Sequence, residues 1–135
     1  MRKLLIALVA LTALTGAACG SGGNDSTGGA TSSPTGGTAG CTANNSTDLT
    51  GSNPFVITIK DLKFTPDCFA AKSASSITIE NNDTVIHTFT IDGTQVDVSI
   101  PAGKTFNGES AGLAPGTYPF HCKIHHTMKG TVIVS

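Results

Sequence analysis

Between residues 53 and 135 apolar and polar positions alternate with a period of two. In "FVITIKDLKF" the side chains of Phe55, Ile57 and Ile59 fall on one face. "SITIE" offers Ile77 and Ile79, "IHTFTI" puts Phe89 and Ile91 on the face of His87, and "QVDVSI" aligns Val96, Val98 and Ile100. "GTYPFHC" aligns Tyr118, Phe120 and Cys122, and "GTVIVS" closes the chain. Alternation of this kind, rich in β-branched and aromatic residues, predicts half-buried strands. Turn residues separate the runs at Asp92-Gly93, Pro101-Ala102-Gly103 and Pro115-Gly116. No window between them carries a helical stripe. Six or seven short strands within roughly 85–95 residues predict an all-β domain, an antiparallel two-sheet sandwich. Pro119 interrupts its run and cannot donate to a ladder, so an edge or bulged strand is expected there.

The start of the chain has another pattern. Arg2 and Lys3 precede the apolar stretch "LLIALVALTAL", and small residues follow up to Cys19. Residues 1–18 therefore read as an export signal. The stretch is about half the length that crosses a bilayer as a helix. The position of Cys19 resembles a bacterial lipoprotein signal, which implies a lipid on Cys19 and anchoring to the cell membrane. Gly16 stands where that pattern prefers Leu, and the alternative is a soluble periplasmic or secreted protein cleaved near Ala18. Residues 20–40 contain no large apolar side chain and cannot offset the entropy of folding, so residues 19–40 are expected to form the lipidated cysteine and a flexible tether. One domain is left, residues 41–135.

Charge narrows the function. The formal net charge is −1, and removal of the signal with Arg2 and Lys3 makes it −3. No basic stripe is present, which excludes a nucleic-acid footprint. Four cysteines need roles. With Cys19 as the lipid site, Cys41 and Cys68 can pair in an oxidising compartment, and Cys122 is left over. A disulfide between Cys122 and either of the others is the rival, since connectivity does not follow from sequence. The surroundings of Cys122 argue for leaving it free.

Those surroundings are "FHCKIHHTMKG", with Cys122, His125 and Met128 three residues apart. The alternation turns Cys122 inward with Tyr118 and Phe120, and turns His87 inward with Phe89. Thiolate and thioether favour Cu(I), and imidazole serves both oxidation states. Two histidines, a cysteine and a weak axial methionine make the electron-transfer arrangement for a single copper ion. His87, Cys122, His125 and Met128 complete that set. His121 alternates outward and is expected to face solvent. His126 adjoins His125 and is the competing ligand at that place, but the spacing from Cys122 favours His125. Met128 has loop packing as its alternative role.

With these residues in place the chain resembles a cupredoxin, a type 1 blue-copper protein, of the amicyanin-like or plastocyanin-like branch. "NNDTVIHTF" is similar to the upstream ligand segment, and "LAPGTYPFHCKIHHTMKGTVIV" to the closing one. The resemblance covers about residues 53–135. It implies a Greek-key sandwich and one copper held by His87, Cys122, His125 and Met128. It also implies a monomeric electron carrier rather than an enzyme, serving redox partner proteins outside the cytoplasm. Ile124 stands where amicyanins usually have Pro, and His126 where another Pro often follows. Thr88 replaces an Asn that helps tie the ligand loops, so a looser setting for the ligands is expected. Pro101, Ala102 and Ala114 are expected around the exposed edge of His125. The alternative function is an extracytoplasmic copper carrier or storage protein with the same ligands, and a third is a surface domain with a binding role.

Overall fold

The computed structural model describes residues 37–109 and 111–135. Expectations for residues 1–36, the export signal and most of the tether, lie outside the described residues. Ten strands and no helix are found among the described residues: β1 (Thr47–Asp48), β2 (Phe55–Lys60), β3 (Lys63–Thr65), β4 (Cys68–Ala71), β5 (Ile77–Asn81), β6 (His87–Ile91), β7 (Asp97–Ile100), β8 (Thr105–Gly108), β9 (Gly116–His121) and β10 (Lys129–Val134). They form the expected sandwich, with one sheet ordered β1-β4-β10-β9-β6-β7 and the other β3-β2-β5-β8.

The sheets are mixed rather than wholly antiparallel. β4 runs parallel to β1 and to β10, and β2 parallel to β5. The cause is the path of the chain. It leaves the four-stranded sheet after β3, runs β4 in the other sheet, and returns as β5 beside β2 in the same direction, as parallel neighbours require.

"FVITIKDLKF" is two strands, not one. The chain turns at Asp61 and Leu62, whose φ angles are 52° and 58°, and β3 folds back on β2. Two successive residues in the left-handed region suit the right-handed twist of a tight hairpin. β2 alternates as the sequence suggested, with Phe55, Ile57 and Ile59 buried.

Pro119 does not mark an edge. β9 lies inside the six-stranded sheet, between β10 and β6. The ladder with β6 stops at Ile91 and Phe120, and the Pro119 carbonyl accepts the Asp92 N–H at 3.0 Å. The N and O of one strand residue point to the same side. The missing N–H of Pro119 therefore faces Asp92 at the last rung, where one bond is made and the ladder with β6 goes no further.

The core is built on phenylalanines. Phe120 is fully buried and its ring centroid lies 5.2 Å from Phe64, 5.7 Å from Phe69 and 4.8 Å from Phe89. Ile57, Ile59, Ile79 and Ile100 fill the space between the sheets. Opposite Phe120 stands Gly130, where a Cβ would come within 2.0 Å of the Phe120 ring. Cys41 and Cys68 form a disulfide with Cα atoms 5.6 Å apart, and Cys122 is free and buried. Ahead of Cys41, the Thr38 N–H donates to Thr131 Oγ1 at 3.0 Å.

Candidate metal centre

The site forms where β6 begins and β9 ends. These strands are antiparallel, with Thr90 opposite His121, so His87 and Cys122 come to the same pole. Residues 122–128 form the loop from β9 to β10. The Met128 N–H donates to the His125 carbonyl at 2.9 Å, and the Cys122 N–H donates to the Met128 carbonyl at 3.0 Å. The two bonds close the loop and bring His125 back over Cys122.

Three side chains converge. Cys122 Sγ lies 3.9 Å from His87 Nδ1 and 3.7 Å from His125 Nδ1, and the two Nδ1 atoms are 3.1 Å apart. His87 and Cys122 are fully buried, and His125 is partly exposed. The point equidistant from the three atoms lies about 2.1 Å from each, close to the roughly 2.0–2.3 Å over which nitrogen and sulfur donors hold a first-row metal ion. The donor set and its spacing therefore fit such an ion. Met128 is buried at the end of the same loop, 2% exposed, and belongs to the core cluster with Cys122.

Polar groups fix this arrangement from outside. The Thr88 N–H points at Cys122 Sγ, 3.4 Å away, and the Thr88 hydroxyl accepts the Lys123 N–H at 2.8 Å. Thr88 thus joins the two loops through one hydroxyl, in the place where the resemblance gives an Asn. His87 Nε2 is 2.9 Å from Asp83 Oδ2. The Asp83 carboxylate also accepts the N–H groups of Asp61 at 2.7 Å and Leu62 at 3.0 Å. Partial burial pushes the Asp83 carboxyl up, but the Leu62 and Asp61 amides and His87 outweigh it and hold it below its ordinary value. Asn81, 1% exposed, shares the two hydrogens of Nδ2 among the carbonyls of Val85, Ile100 and Pro101, and its Oδ1 accepts the Asp83 N–H.

Asp83 is not among the site residues expected from the sequence. The signal was there as an acid four residues before an inward histidine, in "DTVIH". His121 is half-exposed and pairs with Asp92 at 2.9 Å, and His126 is exposed and outside the cluster. Pro101 and Ala102 do lie at this pole, since Pro101 bonds to Asn81 and Gly103 to Asp83. Ala114 does not. It lies before the start of β9, around one depression with Gly93, Thr94 and Gln95, at the far end of β6. A strand of six residues separates it from Cys122.

Residues 37–134 match the family described as Cupredoxin-like domain. The chain belongs to that family. Among solved structures, this cupredoxin-like chain is similar to a reduced variant of amicyanin, with 20% identity over 62% of this chain and 84% of that one and a TM-score of 0.53. A Cu(I) form of another amicyanin variant matches with the same identity and TM-score. A copper-containing nitrite reductase from Thermus scotoductus SA-01 matches at 20% identity and a TM-score of 0.52, over 61% of this chain but 22% of that one. At this identity the likeness is one of fold. No curated protein matches the chain.

Proposed function

We propose that this cupredoxin is a mononuclear type 1 copper electron carrier of the amicyanin-like branch. It works outside the cytoplasm and is held at the membrane by a lipid on Cys19, with His87, Cys122, His125 and Met128 as the copper ligands. The observation that carries the reading is the convergence of His87 Nδ1, Cys122 Sγ and His125 Nδ1 within 4.8 Å of one another. Copper, when bound there, supplies one-electron exchange between its two oxidation states.

The residues make that exchange possible by staying in place. The Thr88 amide dipole stabilises negative charge on the Cys122 sulfur. Backbone bonds at Cys122 and Met128 hold the loop closed, so the donors need little rearrangement as charge changes. His87, Cys122 and Met128 are shielded from solvent and His125 is the member left partly exposed. This supports a carrier over an enzyme, although a nitrite reductase shares the fold. His125 is also the natural contact for a partner. Of the five large apolar residues exposed among the described residues, Leu62, Val85, Ile86 and Ile124 lie on the loops that build this pole. An apolar surface of that kind suits a redox protein that docks briefly, through less than about 1,200 Å². The Cys41–Cys68 disulfide and the signal-like N-terminus support an oxidising compartment outside the cytoplasm.

Electron self-exchange tests the reading. The copper-loaded protein should exchange rapidly by nuclear magnetic resonance line broadening. Ile124→Asp should slow it several-fold and leave the visible spectrum unchanged. Slow exchange in the unaltered protein, with ready transfer of Cu(I) to metal-free acceptors, would favour copper carriage or storage instead.

A further inference from the structure

We infer that Asp83 is the positioning residue for His87, and that it couples the metal centre to the β2–β3 turn of the opposite sheet. The inference rests on the copper reading only for its metal-affinity test. The two nitrogens of the buried His87 ring have different surroundings. Nε2 faces Asp83 Oδ2 at 2.9 Å, while Nδ1 faces His125 Nδ1 at 3.1 Å and Cys122 Sγ at 3.9 Å. A neutral imidazole carries one proton and a carboxylate only accepts. Asp83 therefore places the proton on Nε2 and leaves the Nδ1 lone pair aimed at the cluster, as an acid behind a metal-binding histidine does.

The carboxylate is itself held. Oδ1 takes the Asp61 N–H at 2.7 Å and Oδ2 the Leu62 N–H at 3.0 Å. These two amides converge because Asp61 and Leu62 both have positive φ, 52° and 58°. Neither is glycine, and such a conformation persists only where surrounding bonds impose it. Here the carboxylate accepts both amides. Behind it, the Asp83 N–H bonds to Asn81 Oδ1 at 3.0 Å and the Asp83 carbonyl accepts the Gly103 N–H at 3.2 Å. The turn belongs to the four-stranded sheet and His87 opens β6 in the six-stranded one. One side chain thus joins the sheets at the site, and Leu62, 45% exposed, is its outer surface. A partner that presses on Leu62 presses on the His87 ring through a single residue.

Nitrogen-15 resonance of the full, metal-free chain, at a pH where imidazole is neutral, reads the tautomer directly. His87 should carry its proton on Nε2. In Asp83→Asn the Nδ1-protonated form should gain population, and amide hydrogen exchange at Asp61 and Leu62 should rise about tenfold as bonds to a charged acceptor weaken. Affinity for Cu(I) and for Zn(II), each measured against a chromophoric chelator, should fall about 10–100-fold, with part of it recovered in Asp83→Glu. An Nδ1-protonated His87 in the unaltered chain would overturn the inference, whether or not the Asn variant folds. So would an Asn variant whose tautomer, amide exchange and affinities are unchanged. If the unaltered chain shows the expected tautomer but binds no copper, the functional reading fails and the positioning role stands.

Discussion

The hydroxyl of Thr88 accepts the backbone N–H of Lys123 at 2.8 Å, so the strand that opens with His87 is fastened to the loop that begins at Cys122. Thr88 is 7% exposed, and water cannot easily replace the bond. Thr88→Val keeps the shape and removes the acceptor, leaving the Lys123 amide without its partner. A loss of about 1–3 kcal/mol is expected, read as a lower urea midpoint with unchanged slope. An unchanged midpoint would mean that the loops are held together elsewhere.

Gly130 faces Phe120 across β9 and β10. A Cβ there would lie 2.0 Å from the Phe120 ring and 2.6 Å from the Asp67 carbonyl. Neither can retreat, since Phe120 touches three other phenylalanines. Gly130→Ala should cost about 3 kcal/mol, measured by thermal unfolding of the metal-free protein. A variant as stable as the parent would show that the strands can separate at this point.

Much of this architecture was legible because Phe55, Ile57 and Ile59, or Tyr118, Phe120 and Cys122, alternate over enough residues to declare a buried face. β4 was not legible, since Cys68–Ala71 is four residues with one large apolar side chain, and its place is set by pairing with β10. β8, Thr105–Gly108, was hidden for the same reason. Pro119 misled because an inner strand can take a residue without a donor at the last rung of a ladder, where only one bond is lost. His87, Cys122 and His125 could be named from chemistry and spacing. Asp83 could not be ranked above other acids, because its importance lies in amides brought to it by a turn in the other sheet.

The pH response follows from three carboxyls. Lys123 and Thr90 bond to Asp97 and hold it below its ordinary value, and the Thr50 hydroxyl and amide do the same for Asp48. Asp83 is likewise lowered, its amide bonds and His87 outweighing burial. Each folded value lies below the unfolded one, so the stabilisation is complete above the ordinary carboxyl range near pH 4 and is lost as pH falls through the lowered values. The urea midpoint of the metal-free protein should drop between pH 6 and about pH 3, and Asp97→Asn should narrow that drop. A midpoint that rises toward acid, or an Asn variant with the full drop, would contradict this.

Met128 sits buried at the end of the loop between β9 and β10. A thioether suits Cu(I) by its softness, but as a distant axial donor it acts more on the higher charge of Cu(II), so the oxidised ion would lose more than the reduced one on its removal. Met128→Leu should therefore keep the visible colour and raise the reduction potential, as voltammetry of the copper-loaded variant would show. A potential that stays the same or falls would make Met128 a packing residue and no more.

The proposed function requires that His87, Cys122 and His125, with Met128, hold one copper ion through a thiolate. Titration of the metal-free chain with Cu(II), followed by visible absorption and by bound metal, tests it most directly. An intense sulfur-to-copper charge-transfer band is expected, saturating at one equivalent and absent from Cys122→Ser. Saturation at two equivalents, no such band, or a band that survives in Cys122→Ser would contradict it.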